Sequence, residues 1–249
     1  MVEQGWLKPG MVHSIAIVGP GLDFANKEAG NDFYAPQTIQ PFAVLDSLFR
    51  LGVADPATVK LYTLDISPDV NVHVERARDN AAQGRWYVVQ LPWNTERPMS
   101  DQYRANFIEY WQKLGNEIGE PIAPIPVPGA ATATTRTRAV KIRPELLRRI
   151  TALDVNIVYQ RLLIPREQAF DLVIGTNIFV YYGAFEQSLA RSNVAAMLKP
   201  GGFLLSNDKL PDTVPSGLND VLDTQVVSSL HPLVQDTVFC YQRAKGWQK

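Results

Sequence analysis

The chain has 249 residues, 24 Lys+Arg against 25 Asp+Glu for a formal net charge of −1, and a single cysteine. That balance leaves no broad cationic face to neutralise a phosphate backbone, which speaks against a nucleic-acid partner, and Cys240 alone allows no intrachain disulfide, which fits a cytoplasmic protein. No apolar stretch approaches the roughly 20 residues of a bilayer span, so a soluble protein with no membrane partner is expected.

The opening MVEQGWLKPGMVHS lacks a cationic segment followed by an apolar one, so no targeting leader is expected. His13, His73 and His231 share no short spacing with other ligating residues, and no metal is expected. The length suits one α/β domain, residues 1–249, carrying an insertion at about 94–139.

Short β-rich apolar runs predict strands at 14–18, 59–64, 86–91, 156–159, 172–174, 203–206, 225–229 and 237–242. Between the first two, residues 38–51 place Phe42, Val44, Leu45, Leu48 and Phe49 on one side with Pro41 in the first turn, the pattern of a helix. Strands alternating with helices imply right-handed crossovers and a mostly parallel sheet covered on both faces. The last two strands are joined by too short a loop for a helical crossover and should pair antiparallel.

Residues 23–37 form a polar loop longer than a tight strand-to-helix turn. Within the insertion, residues 100–119 read as an amphipathic helix carrying Tyr103, Phe107, Tyr110, Trp111, Leu114 and Ile118. Residues 120–139, with Pro121, Pro124, Pro126 and Pro128 before an Ala/Thr tract, read as an irregular linker or lid. Trp93 and Trp111 are read as packing groups of the insertion.

Three motifs carry chemistry. Gly19-Pro20-Gly21 ends the first strand, where glycines let a ligand approach the backbone. Asp65 ends the second strand, placed to accept the ribose hydroxyls of a nucleoside cofactor. Ser67 and Pro68 then read as the cap and first residue of the next helix, leaving Asp65 free of that task. The third motif is FDLVIGTNIFVYY at 170–182, a helix from about Phe185, and LKPGGFLLS at 198–206.

This third block resembles the fourth strand, helix and fifth strand of class I S-adenosylmethionine-dependent methyltransferases, in which an aromatic-Asp pair opens one strand and Lys-Pro-Gly-Gly leads into the next. FDLVIGTNIFVYY is also similar to the chemotaxis-receptor glutamate methyltransferases. The resemblance covers residues 14–65 and 156 to the end. It implies a Rossmann-like, doubly wound, mostly parallel sheet ending in an antiparallel pair, with S-adenosyl-L-methionine as cofactor. By that resemblance Gly19, Pro20 and Gly21 flank the methionine part, Asp65 holds the ribose and Ile66 touches the adenine. Gln160, Arg161 and Leu162 would lie near the adenine, and Asn177 would face the methionine end or the acceptor.

The sequence departs from the family pattern at three places. Ile17 stands where an acid is usual before the first glycine, Asp23 takes the place of a third glycine and either substitutes as partner for the cofactor's ammonium or leaves binding weaker, and Gln160 and Arg161 stand where an acid often follows the third core strand. Asp171 is read as a structural anchor of its strand. In-line methyl transfer needs positioning more than a nucleophile. If a base takes part, Asp23, Tyr34 and Tyr181 are the candidates.

With no Asn-Pro-Pro-Tyr-type segment after Gly175, the acceptor is expected to be a small molecule or a protein carboxylate. Two alternatives stay open: a non-catalytic binding protein with the same fold, and a nicotinamide-dependent oxidoreductase. For the latter, Phe24 occupies the third-glycine position, and Asp65 lies more than twice as far downstream as the roughly 20 residues such sites use.

Overall fold

The computed structural model describes residues 1–26, 33–94, 98–128, 135–231 and 235–246. Its main sheet has seven strands. β1 (Ser14–Val18) is flanked by parallel β2 (Lys60–Asp65) and β7 (Phe170–Gly175), and β8 (Leu198–Ser206) lies parallel beside β7. β6 (Ile150–Asp154) forms one edge, parallel to β2. β10 (Asp236–Arg243) runs antiparallel to β8 and to the other edge strand, β9 (Leu218–Val226), so the order is β6-β2-β1-β7-β8-β10-β9. This is the Rossmann-like, largely parallel sheet with a terminal antiparallel pair that the sequence implies.

The central strands are buried on both faces, which is why SIAIV in β1 is apolar or small throughout. Two apolar cores result. On one face α1 (Gln40–Arg50) and α2 (Pro68–Ala82) pack with Ile15, Ile17, Leu61, Leu172 and Phe203. On the other, α6 (Ala184–Met197) packs with Ala16, Val18, Val173 and Leu204. The alternation of faces within β1, β7 and β8 follows the two-residue period of a strand.

Two crossovers are reduced. Only a single 3-10 turn, Arg166–Gln168, interrupts the path from β6 to β7, and no helix joins β8 to β9. The latter loop is held by buried Arg191 of α6, whose guanidinium donates to the carbonyl of Leu210 at 2.7 Å and to Ser216 Oγ at 3.1 Å, and stacks 4.8 Å over the Tyr241 ring. Its charge is balanced by Asp220 at 3.1 Å and Asp212 at 3.4 Å.

The segment between α2 and β6 builds a second, antiparallel sheet from β3 (Tyr87–Asn94), β4 (Gly119–Ile122) and β5 (Thr135–Ile142), in the order β3-β5-β4. Several sequence expectations are corrected here. The run 86–91 is a strand, but of this second sheet. The single helix expected at 100–119 is two, α3 (Met99–Gln102) and α4 (Ala105–Lys113).

The break between them has a long-range cause. The Arg104 N–H donates to Ser228 O and the Leu230 N–H to Gln102 O, each at 2.9 Å, drawing 102–104 into extended pairing with the segment after β9. Of the expected lid at 120–139, both ends are strand and 123–128 carry no regular structure, while 129–134 lie outside the described residues. A further short helix, α5 (Pro144–Leu147), leads into β6. Among the described residues no helix is long and apolar enough to cross a membrane.

α1 is clasped between the two sheets. Phe42 and Ala43 face Val89, Leu91, Leu114, Ile118, Val140 and Ile142 of the inserted unit. At the centre of this contact Asp46 is fully buried: Oδ1 accepts the N–H groups of Gly115 at 2.9 Å and Glu117 at 3.0 Å, and Oδ2 pairs with Arg50 one turn along. A buried carboxylate is tolerated only when so satisfied. Asp46→Ala is expected to lower stability by about 2–4 kcal/mol, because it orphans the buried Gly115 N–H and the part-buried Glu117 N–H and removes the partner of a partly exposed Arg50. Urea unfolding measures this, and a loss below about 1 kcal/mol would show that the clasp does not depend on the carboxylate.

Candidate active site

The carboxyl ends of β1, β2 and β6 meet at one edge of the main sheet, where ligands of open α/β folds sit. Gly19 and Gly21 both adopt left-handed backbone, with φ of 63° and 64°. The Gly19 N–H donates to Leu64 O at 2.9 Å, tying the turn to β2. A Cβ at Gly19 would stand 2.8 Å from Ile178 Cδ1, whereas one at Gly21 would meet nothing within 4 Å. Gly19 therefore lets the loop after β7 close over the turn, and Gly21 borders open space. Phe24, also left-handed at φ 62°, packs its ring 5.4 Å from Tyr34.

Asp65 is buried beside this turn. Its Oδ1 accepts the Ser67 N–H at 2.8 Å, and its Oδ2 lies 3.5 Å from the Gly21 nitrogen. The Ser67 hydroxyl makes no capping bond, and Asp65 does not replace it, since its Oδ1 meets the N–H of Ser67 itself and none inside α2. The other oxygen keeps acceptor capacity toward the Gly21 turn. Ile66, next along, is an exposed apolar side chain.

β6 ends at Asp154, in register with Asp65. This corrects the sequence reading, which put the third core strand at 156–159. Those residues form a turn in which Asn156 Oδ1 accepts the Val158 N–H at 3.0 Å, and Asn193 of α6 donates to the carbonyls of Ile157 and Val158 at 2.9 Å. The last residue of the third strand is thus an acid, Asp154. Gln160 instead folds back, its Oε1 accepting the Asn156 N–H at 2.8 Å. Arg161 is exposed, and the Leu162 N–H points at Met197 Sδ at 3.3 Å. The signal that could have found Asp154 was the repeated strand ending, Thr-Leu-Asp at 63–65 and Ala-Leu-Asp at 152–154.

Tyr159, Tyr182 and Glu186 adjoin this edge. The Tyr159 hydroxyl donates to Glu186 Oε1 at 2.9 Å, and that bond holds the phenol above its ordinary pKa. Burial, with the charges of Glu186 and Asp65, raises Tyr182 as well. The Gly183 N–H, then Tyr159, keep Glu186 below the usual carboxylate range. At the ends of β7 and β8, Asn177 (φ 58°) and Asn207 form a reciprocal pair: the Asn177 N–H donates to Asn207 Oδ1 at 2.8 Å and Asn207 Nδ2 to Asn177 Oδ1 at 2.6 Å.

The three base candidates lie apart from one another in role. Asp23 pairs with Gln37 in an antiparallel bridge and its Oδ2 accepts the Ile39 N–H at 2.8 Å, at the start of α1. Tyr34 is buried against the inserted unit, its hydroxyl 2.7 Å from Thr137 Oγ1. Tyr181 is exposed on the loop after β7.

Sequence reasoning missed Tyr87. Its hydroxyl accepts the Thr38 N–H at 2.9 Å and pairs with His73 Nε2 at 2.8 Å, fixing the start of α1 from the second sheet. Burial, joined by the charge of Asp23, pushes its pKa well above the ordinary phenol value. Burial and then Arg76 lower that of His73. Asp171 anchors β7 as expected: Oδ2 accepts the N–H groups of His13 at 2.8 Å and Ser14 at 2.9 Å, and Oδ1 pairs with Lys199 at 2.7 Å. Among the described residues no group of three or more His, Cys, Asp or Glu could hold a metal.

No family model and no curated protein matches this chain. Solved structures similar to it include the N-methyltransferase NodS from Bradyrhizobium japonicum, at 11% identity and TM-score 0.42 over 94% of this chain and 88% of that one. A TehB-like SAM-dependent methyltransferase from Corynebacterium glutamicum aligns at 8% identity and TM-score 0.43, over 97% of this chain and 84% of that one. Magnesium protoporphyrin IX methyltransferase from Synechocystis, with bound SAM, aligns at 11% identity and TM-score 0.39, over 98% and 74%.

The two glycines allow a direct check of the turn. Gly21→Ala is expected to cost about 1–2 kcal/mol from left-handed backbone alone. Gly19→Ala should cost more, because its methyl also displaces Ile178. Thermal denaturation of both variants decides it, and equal melting temperatures would remove the Ile178 contact from the account.

Proposed function

We propose that this protein is an S-adenosylmethionine-dependent methyltransferase. The observation that carries the reading is the juxtaposition of a left-handed, open-faced Gly21 with the incompletely satisfied carboxylate of Asp65 at the carboxyl edge of β1 and β2. A nucleoside fits these residues: Asp65 Oδ2 accepts a ribose hydroxyl, exposed Ile66 offers an apolar face to the base, and Asp154 on the neighbouring strand can accept from the adenine amino group. The turn of Gly19, Pro20 and Gly21 would flank the chain of the cofactor, with the room at Gly21 because Ile178 covers Gly19, and Asn177 would face its methionine end or the acceptor.

S-adenosylmethionine supplies, when bound, a methyl group on a sulfonium whose carbon–sulfur bond breaks as an acceptor lone pair forms the new bond. The protein's part is to bind, align and exclude water, which accounts for a site with no nucleophile–base pair. The acceptor in this reading is a small molecule or a protein carboxylate. Asp154 weakens the non-catalytic alternative, since half of its support was the apparent loss of that acid.

Calorimetry with S-adenosylhomocysteine and with NADH tests the proposal: the former should bind with micromolar or better affinity and the latter should not. Asp65→Asn is the informative variant, because its amide oxygen can still accept the Ser67 N–H while the charge is lost. Hydrogen bonds to a charged acceptor contribute on the order of 1.5–3 kcal/mol, so affinity should fall at least about tenfold with little change in melting temperature. Binding of NADH without S-adenosylhomocysteine would overturn the reading.

A further inference from the structure

Along the α1 face of the main sheet runs an apolar trough of about 500 Å³. Its floor is Leu172 and Ile174 of β7 with Leu205 of β8, and one wall is Ala43, Val44 and Leu48 of α1. Ile174 and Leu205 are register partners, and the next pair, Gly175 with Ser206, ends the two strands. The floor therefore leads to the edge that carries Asn177 and Asn207.

At that end stands Gln40, the first residue of α1, whose Nε2 donates to Thr176 Oγ1 at 2.7 Å. Thr176 is the residue between the end of β7 and Asn177. Glu3 is the one charged side chain among the described residues that line the trough, and no Lys or Arg lines it.

We propose that this trough is the acceptor subsite and that its occupant is a neutral, predominantly apolar small molecule whose single polar, nucleophilic group is presented beside Gln40. This rests on the methyltransferase reading and narrows it. A volume of this size is that of a small-molecule pocket, with apolar walls and few placed polar groups. No Lys or Arg side chain lines the wall and the Met1 α-ammonium is accompanied there by the Glu3 carboxylate, so an anion leaving water would meet no net positive charge, a cost that disfavours a protein carboxylate. Gln40 can turn its amide from Thr176 to a hydroxyl or amine of the ligand, since the side chain carries both donor and acceptor.

The test uses N-phenyl-1-naphthylamine, a neutral apolar fluorophore, in parallel with S-adenosylhomocysteine calorimetry. Saturable fluorescence enhancement is expected with the unmodified protein. Val44→Trp, which fills the trough, should weaken the probe at least about tenfold while leaving S-adenosylhomocysteine affinity within about twofold. Leu51→Asp, at an exposed position on the rim, should also weaken the probe and does not depend on the core accepting a larger side chain.

S-adenosylhomocysteine binding with no saturable probe binding, or probe binding that both variants leave intact, overturns the acceptor assignment alone. Failure of the unmodified protein to bind S-adenosylhomocysteine overturns the methyltransferase reading and the acceptor role with it.

Discussion

The buried carboxylate of Asp46 is the constraint on which the rest of the architecture turns. It lies on a helix that must serve two sheets at once, and it accepts two backbone N–H groups from the turn that leads into β4. Without it the middle of α1 would meet the inserted unit mainly through apolar contacts, which are non-directional and would hold its register less tightly. With it, α1 has one seating. That matters at the edge of the sheet because the first residues of α1 are held from three sides: Asp23 by way of the Ile39 N–H, Tyr87 by way of the Thr38 N–H, and Thr176 by way of Gln40. The inserted unit thereby holds Tyr34, Gln37 and Thr38 ahead of α1, through Thr137, Gln90 and Tyr87.

How much of this could be read from the sequence depends on where each element lies. β1 and β7 are buried on both faces, so their side chains declare them, and both were placed to within a few residues. Edge strands pair through backbone on one side only and need no apolar pattern. β9, mostly exposed along LNDVLDTQV, was read seven residues late, and β6 was passed over for the more apolar Asn-Ile-Val-Tyr turn behind it. The second sheet was invisible for a different reason: its partners, such as Gln90 with Ala139 and Tyr87 with Ile142, are far apart in sequence, and nothing local specifies that pairing.

The candidate site divides along the same line. Gly19, Gly21 and Asp65 were legible because strand-end chemistry is local: a turn needs φ above zero, and a carboxylate after a strand stands at its carboxyl edge. The position of Asp154 is not legible, because it depends on where β6 stops, and an edge strand of mixed burial carries no continuous apolar run to mark that end. Asp23 shows the converse difficulty. A carboxylate four residues beyond Gly19 reads as a ligand or a base, but the chain brings the start of α1 back to it, and a helix start supplies unpaired N–H donors that a nearby carboxylate satisfies. Tyr87 could be assigned no role from sequence at all, since both its hydrogen-bonding partners come from other elements.

The two sides of β1 and β7 also meet different physical demands. At the carboxyl edge the groups are polar: Asp65 and Asp154 end their strands, Glu186 stands in the first turn of α6, and backbone N–H groups hold Asp65, Glu186 and Asn207, so under the proposed function little reorganisation is needed when hydroxyls or amines arrive. Along the α1 face the trough is walled by aliphatic side chains, so the acceptor proposed for it would be selected by shape and exclusion of water, which discriminate weakly among apolar ligands of similar volume. Such a division lets the apolar face change its preference by substitutions on α1 without touching the groups at the edge. The two meet at the Gln40–Thr176 hydrogen bond, one residue from Asn177. Because α1 is seated by Asp46 past its middle, a ligand at the proposed subsite that displaces Gln40 would meet a helix held against tilting, and the adjustment would fall on the Gln40 side chain.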